Sequence, residues 1–312
     1  MSLSLDPTTA SGPPGPDAAT LAADEPDASS TPPVAPTATL TAEPVPPTLR
    51  RPSRVAQAVR TVLLGALGFL LLGLVWALAS ARSGELPGPL QTLSTLWDLL
   101  GTAFEKDGPA GKGIGLQLAD SLTRVLKGFA LAAAIGIPVG FLIGVQPTLR
   151  RILNPIVQVL RPVSPLAWFP IWLTIMVKAD AASVWVIFIS AVWPTILNTA
   201  AGASSVPRDQ LDVARVFRFS KATQLREVVI PHSLPAVITG LRLSMGVAWM
   251  VIVAAEMLSA ASGIGFYVWQ SYNGPGLTHV ISAVIIIGAT GLILDLAFQA
   301  IGRKVAHEEV RP

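Results

Sequence analysis

Six stretches of this chain are runs of apolar residues with almost no charge, over about 61–81, 117–145, 153–177, 183–203, 236–259 and 279–301. Each approaches or exceeds the ~20 residues a helix needs to cross a bilayer. In lipid, backbone polar groups must be satisfied within the segment, which selects helices here. The pattern predicts an all-α polytopic membrane protein with six transmembrane helices. In the second run Gly128, Ala132, Gly136, Gly140 and Gly144 recur at every fourth position. That puts small residues on one helix face, where a neighbouring backbone can approach. In the third, Pro155, Pro162, Pro165 and Pro170 predict breaks or kinks.

The polar positions order the runs. Residues 1–49 are rich in Pro and Ala and hold six acids, no Lys or Arg and no aromatic. Too little apolar surface is present to fold, so a disordered tail is expected. Its start lacks the positive region of a signal peptide. Arg50 to Arg60, the run 61–79 and Ala77-Leu78-Ala79 also fit a late signal with a cleavage site, but an uncleaved first span is preferred. Between the first two runs, LQTLSTLWDLLGTAF predicts an amphipathic interfacial helix whose buried stripe is Leu93, Leu96, Trp97, Leu100 and Phe104. The transmembrane body is expected over 50–304, with a short tail at 305–312. Fourteen Lys and Arg fall in segments on one side, and only Arg82, Lys106, Lys112 and Lys178 on the other. The positive-inside rule then puts both termini in the cytoplasm.

Composition narrows the chemistry. The chain is 51% hydrophobic, 13% charged and has no Cys. Disulfides, Fe–S clusters and thiolate metal sites are excluded. His232, His279 and His307 show no ligand spacing, no phosphate-cradling G-x-x-x-x-G-K-[ST] occurs, and no nucleophile–base pair stands out. A small net charge of +3 gives no reason to expect nucleic acid. What remains is a set of charges inside the spans, which are costly there and usually face a cavity or the bundle interior. Read as function, Arg161 and Arg242 give a positive lining for a small anion, and Ser164, Trp168, Trp193, Asn198 and Trp249 join them as candidate pathway residues. Read as structure, the two arginines snorkel or pair with Asp295 or a helix end, and the tryptophans pack or sit at the interface. Glu256 is expected to be an ion-pair or packing partner. Arg124 and Lys127 fit either an outer basic vestibule or interfacial anchors.

One polar insert stands apart, VPRDQLDVARVFRFSKATQLREVVIPHSLP at 206–235, basic and flanked by apolar runs. Pro207 suits a first helical turn. Ser220 suits the cap of a second helix, KATQLREVVI, that Pro231 would stop. Leu211, Ala214, Val216 and Phe217 form an apolar ridge too small for a core, so the two helices predict a knob that inserts into something.

The stretch resembles the coupling loop of binding-protein-dependent ABC transporter permeases. In that pattern Asp212-Val213-Ala214 take the E-A-A places, Arg218 the glycine place, and Val228, Ile230 and Pro231 the final ones. With RPVSPLAWFPI, WPTILNTAAG, LDVARVFRFS, GLRLSMGVAWMVIVAAEML and GIGFYVW, residues 60–303 resemble the nitrate, sulfonate, taurine and bicarbonate branch. They are most similar to nitrate permeases. The resemblance implies a type I importer permease of the bacterial inner membrane that is not itself an enzyme. Two permease subunits, expected to be identical, would form the path. Leu211, Asp212, Val213, Ala214, Phe217, Arg218 and Pro231 would face cytoplasmic ATPase subunits that bind ATP and Mg. This chain would carry no cofactor, and an extracytoplasmic binding protein would deliver the substrate. The expected cargo is a small oxyanion, nitrate first, then bicarbonate, taurine or an alkanesulfonate. A stand-alone secondary transporter is the alternative from another class, and it predicts an internal repeat that the sequence lacks.

Overall fold

The computed structural model describes residues 54–106, 112–259, 262–274 and 276–308. The expected tail at 1–49 and the last four residues lie outside them. Among the described residues every regular element is helical: α1 (Arg54–Ser83), α2 (Pro89–Gly101), α3 (Ile114–Val145), α4 (Pro147–Leu160), α5 (Phe169–Met176), α6 (Ala179–Ser204), α7 (Arg208–Val216), α8 (Lys221–Gln224), α9 (Ile230–Ser259), α10 (Ile264–Asn273) and α11 (Leu277–Glu308). The chain falls into two units, Met1–Val59 and Arg60–Pro312. Apart from the opening of α1, every element belongs to the second.

Five helices are long and apolar enough to cross a membrane, and the bent pair α4–α5 makes up to six. The third span, where four prolines predict breaks or kinks, is broken into two limbs and begins at Pro147, earlier than the apolar run suggests. α4 ends at Leu160, a 3₁₀ turn covers Pro165–Trp168, and the two limbs meet at 88°. Only two of the four prolines break the chain. Pro162 and Pro165 lack N–H donors in consecutive turns, and Ser164, before a proline, is held extended. Pro170 sits in the first turn of α5, where no donor is needed. Pro155 stays inside α4.

The centre is α6, flanked by α3 and α9. The glycine stripe of α3 faces α6 as the spacing predicts. A Cβ on Gly128 would lie 2.6 Å from Ile187, and one on Gly140 the same distance from Thr199. Gly240 of α9 approaches Asn198 of α6 in the same way. Small residues replace a hydrophobic driving force that lipid does not supply. Between α6 and α9, Thr195 and Ser244 hydroxyls share a hydrogen bond of 2.7 Å, and Ser244 Oγ donates to the Ala191 carbonyl. Each hydroxyl is thus satisfied in a buried interface.

Three local expectations change. The face of α2 that packs on the protein carries Thr92, which is buried and whose carbonyl accepts from Ser282 Oγ of α11, and Leu99, which packs on the core; of the anticipated stripe only Leu96 is half-buried there. Leu93, Trp97, Leu100 and Phe104 point outward, where lipid would cover them. Pro231 does not stop the second helix of the insert. A π turn at Leu225–Val229, in which the Ile230 N–H reaches back to the Leu225 carbonyl, precedes it. The wider turn carries the chain past the proline ring, giving one helical rod from Lys221 to Ser259. Finally, the segment 260–278, outside the six apolar runs that predict spans, contains α10, whose Ile264, Tyr267 and Ser271 are buried.

Candidate functional site

The insert forms a knob with two faces. Leu211 packs on Ala203, Val206 and Val229, and Ala214 is buried. The ridge anticipated at Leu211, Ala214, Val216 and Phe217 is thus split. Val213, Val216 and Phe217 are the exposed part, with Val216 80% and Phe217 70% accessible. Phe219 lies beside Phe217, ring centroids 6.3 Å apart. Asp212 accepts from Arg215 at 2.6 Å on the exposed surface, and Pro231 is exposed within the rod. Ser220 caps α8 as expected, accepting from the Thr223 N–H at 3.1 Å.

Arg218 explains its own oddity. Its φ is +54°, left-handed. Its N–H bonds the Arg215 carbonyl, and the Phe219 N–H bonds the Ala214 carbonyl, each at 2.9 Å. These are the two bonds of a Schellman stop, whose left-handed residue is usually glycine. In this chain the glycine place is thus a backbone position, a left-handed helix stop. Arg218→Gly should therefore keep thermal unfolding within about 1 kcal/mol of the parent. Arg218→Val, β-branched at positive φ, should cost on the order of 1–2 kcal/mol. Equal melting of the glycine and valine variants would contradict the cap.

Within the membrane body, Arg161, Trp193 and Asn198 come together. They line a cavity of about 580 Å³ between the α4–α5 break, α6 and α9, with Ser190 and Leu243. Arg161 is the only charged residue lining it and enters no ion pair among the described residues. Asn198 Nδ2 donates to the Pro194 carbonyl at 2.8 Å, which leaves its amide oxygen for a ligand or water. Ser164 and Trp168 sit in the adjoining break and 3₁₀ turn. Two candidates go elsewhere. Arg242 forks onto Asp295, Nε at 2.5 Å and Nη2 at 2.9 Å, tying α9 to α11. Trp249 is buried and donates to the Ile287 carbonyl at 3.1 Å, so it packs rather than lines.

At the other end of α9 lies a cluster whose partners the sequence left open. Glu256 is fully buried and Arg124 is 7% exposed. Arg124 Nη1 donates to Glu256 Oε1 at 2.6 Å, across 132 positions, and its Nε donates to Asp180 at 2.9 Å. Glu256 Oε2 accepts from Ser121 Oγ at 2.8 Å and from the Gly265 N–H at 3.1 Å. The Ile264 N–H donates to Ser121 Oγ, and the Gly263 N–H to Gln117 Oε1. A Cβ at Gly263 (φ +139°) would collide with the Glu256 carboxylate. The Gly-Ile-Gly of the sequence is therefore the seat of a buried ion pair that fastens α3, α9 and α10. Glu256 is the ion-pair partner expected. Arg124 lines a cavity of about 510 Å³ together with Lys127 and Lys178, but Asp120 and Asp180 line it too and Arg124 is held by acids, so the lining is of mixed charge rather than the basic vestibule expected. Among the described residues no group of three His, Asp or Glu is placed to hold a metal ion.

Residues 136–307 match the family model described as binding-protein-dependent transport system inner membrane component. The chain is 42% identical over 235 residues to the nitrate import permease protein NrtB of Synechocystis sp., covering 75% of this chain and 86% of that one. It is 45% identical over 237 residues to the bicarbonate transport system permease protein CmpB of Synechococcus elongatus, covering 75% and 84%. With the taurine transport system permease protein TauC of Escherichia coli it shares 32% over 256 residues, covering 80% and 91%. In fold it superposes on a chain of the inward-facing MetNI methionine ABC transporter with a TM-score of 0.55 at 17% identity, over 60% of this chain and 93% of that one. With its helical spans and its knob between α6 and α9, this chain belongs to the inner-membrane permease components of binding-protein-dependent ABC transport systems.

Proposed function

We propose that the chain is the permease subunit of an ATP-driven importer for a small planar oxyanion, nitrate first and bicarbonate second. The observation that carries this reading is Arg161. It brings one unpaired positive charge into a membrane cavity with no acid, framed by Trp193 and Asn198. Arg161 is accessible at the α4–α5 break, and an unpaired guanidinium lining a cavity attracts a monovalent anion. Relatives named for nitrate and bicarbonate are 42% and 45% identical, against 32% for the taurine relative. That order supports a planar oxyanion over a sulfonate.

The knob supplies the drive. α7 joins α6 to the rod that continues as α9, and both helices line the Arg161 cavity. A partner gripping Val213, Val216 and Phe217 would move both walls as a body. In this reading the partner is a pair of ATPase chains that hold ATP and Mg, with both termini of this chain on their side. Asp212, Arg218 and Pro231 surround the grip, and half-buried Leu211 and buried Ala214 hold it in place. A second copy of this chain completes the path, and an extracytoplasmic binding protein loads it. Ser164 and Trp168 flank the path.

The test is nitrate-dependent ATP hydrolysis by the purified permease with its ATPase and binding protein. Arg161→Gln should lower nitrate-stimulated turnover at least tenfold, the ~1.4 kcal/mol of a modest charged hydrogen bond, with assembly intact. Stimulation by taurine alone, or unchanged turnover in Arg161→Gln, would overturn the reading.

A further inference from the structure

We propose that the inner half of the path is a cationic exit track laid along one face of α4, with Arg150 and Asn154 as its anion-binding groups. It rests on the proposed function only for the sign of the cargo. Arg150, Asn154, Val157 and Arg161 follow one another at intervals of four, three and four, which is a single stripe of a helix. Arg161 belongs to the 580 Å³ cavity already described. A second cavity, about 120 Å³, lies between Arg150, Asn154 and Val157 of α4 and Leu197 and Ala200 of α6. The two share Leu197. A third, about 1010 Å³, shares Arg150 and Asn154 with the second and opens beside the α7 knob, where Arg151, Arg215 and Lys221 also line it. No acid lines any of the three. Of these cations only Arg215 enters an ion pair among the described residues, with Asp212.

A confined row of one sign of charge raises the local concentration of counter-ions. Conduction also needs each stop to hold its ion weakly enough to release it. Single guanidinium and amide groups spaced along α4 satisfy both demands, and the last stop widens into water among several cations. Release to the knob side is then downhill in confinement and uphill in charge nowhere.

The chain has no cysteine, so Asn154→Cys places one thiol of this chain on the track. The whole transporter, in lipid nanodiscs where both faces meet reagent, is treated with sulfonatoethyl or trimethylammonioethyl methanethiosulfonate. Labelling is read on this chain by mass spectrometry, each rate divided by that with free mercaptoethanol. The anionic reagent should be favoured about tenfold. Arg150→Gln in the same background should bring the ratio to about two, and Arg150→Lys should keep it. If Asn154→Cys does not assemble, Ala200→Cys on the facing wall takes its place. A ratio near one, no labelling, or a ratio untouched by Arg150→Gln would overturn the track. Nitrate uptake is measured in parallel. A preserved anionic preference without nitrate uptake removes nitrate as cargo and leaves the track standing.

Discussion

Replacing Arg124 with leucine should destabilise the protein by roughly 3–5 kcal/mol, the cost of leaving a buried charge without its partner. Glu256 would keep its bonds to Ser121 and Gly265 but lose the only cation that touches it among the described residues. The damage should spread to the α9–α10 connection, because the Gly263, Ile264 and Gly265 amides are all held by this cluster. Thermal unfolding of the purified protein in detergent measures the loss. The double variant Arg124→Leu, Glu256→Leu should recover a large part of it, since exchanging a buried pair for apolar groups is often close to neutral. A single variant that melts with the parent would show that the pair contributes nothing. A double variant as unstable as the single one would place the effect in packing rather than charge.

Truncating Phe217 to alanine should uncouple ATP hydrolysis from transport while leaving the fold intact. Its ring is the largest exposed apolar side chain on the knob, with Val216 before it and Phe219 alongside. An aromatic anchor at the centre of an interface commonly contributes about 2 kcal/mol or more, so affinity for the ATPase partner should fall roughly 30-fold. Pull-down of the partner and binding-protein-stimulated ATPase activity give the readout, with thermal unfolding unchanged as the control. Ala214→Arg is the informative opposite. Ala214 is buried within the knob, so arginine there should unseat α7 itself and lower stability along with coupling. If Phe217→Ala couples normally, the exposed face of the knob is not the grip.

The class of this protein is legible in its residues alone. Six apolar runs in a chain with 13% charge leave few choices for backbone groups in lipid, and the Lys/Arg asymmetry orders the spans. The glycine spacing of 128–144 announces a close helix contact because periodicity survives in the sequence. The cap at Ser220 and the glycine-place residue Arg218 are also readable, being local backbone chemistry. Proline is less informative. Pro162 and Pro165 break the third span while Pro155, Pro194 and Pro231 do not, because neighbouring turns and side chains decide whether a missing donor is absorbed.

The sequence by itself determined the helical membrane architecture, the position of the knob and the presence of charges inside the spans, since composition and period encode those directly. The tertiary structure alone decided what each charge does. Arg124 and Glu256 neutralise one another across 132 positions, Arg242 is taken by Asp295, and Arg161 is left without an acid beside Trp193 and Asn198. An ion's role depends on what lies within a few ångströms, and for residues far apart in the chain only the packing of helices sets that distance.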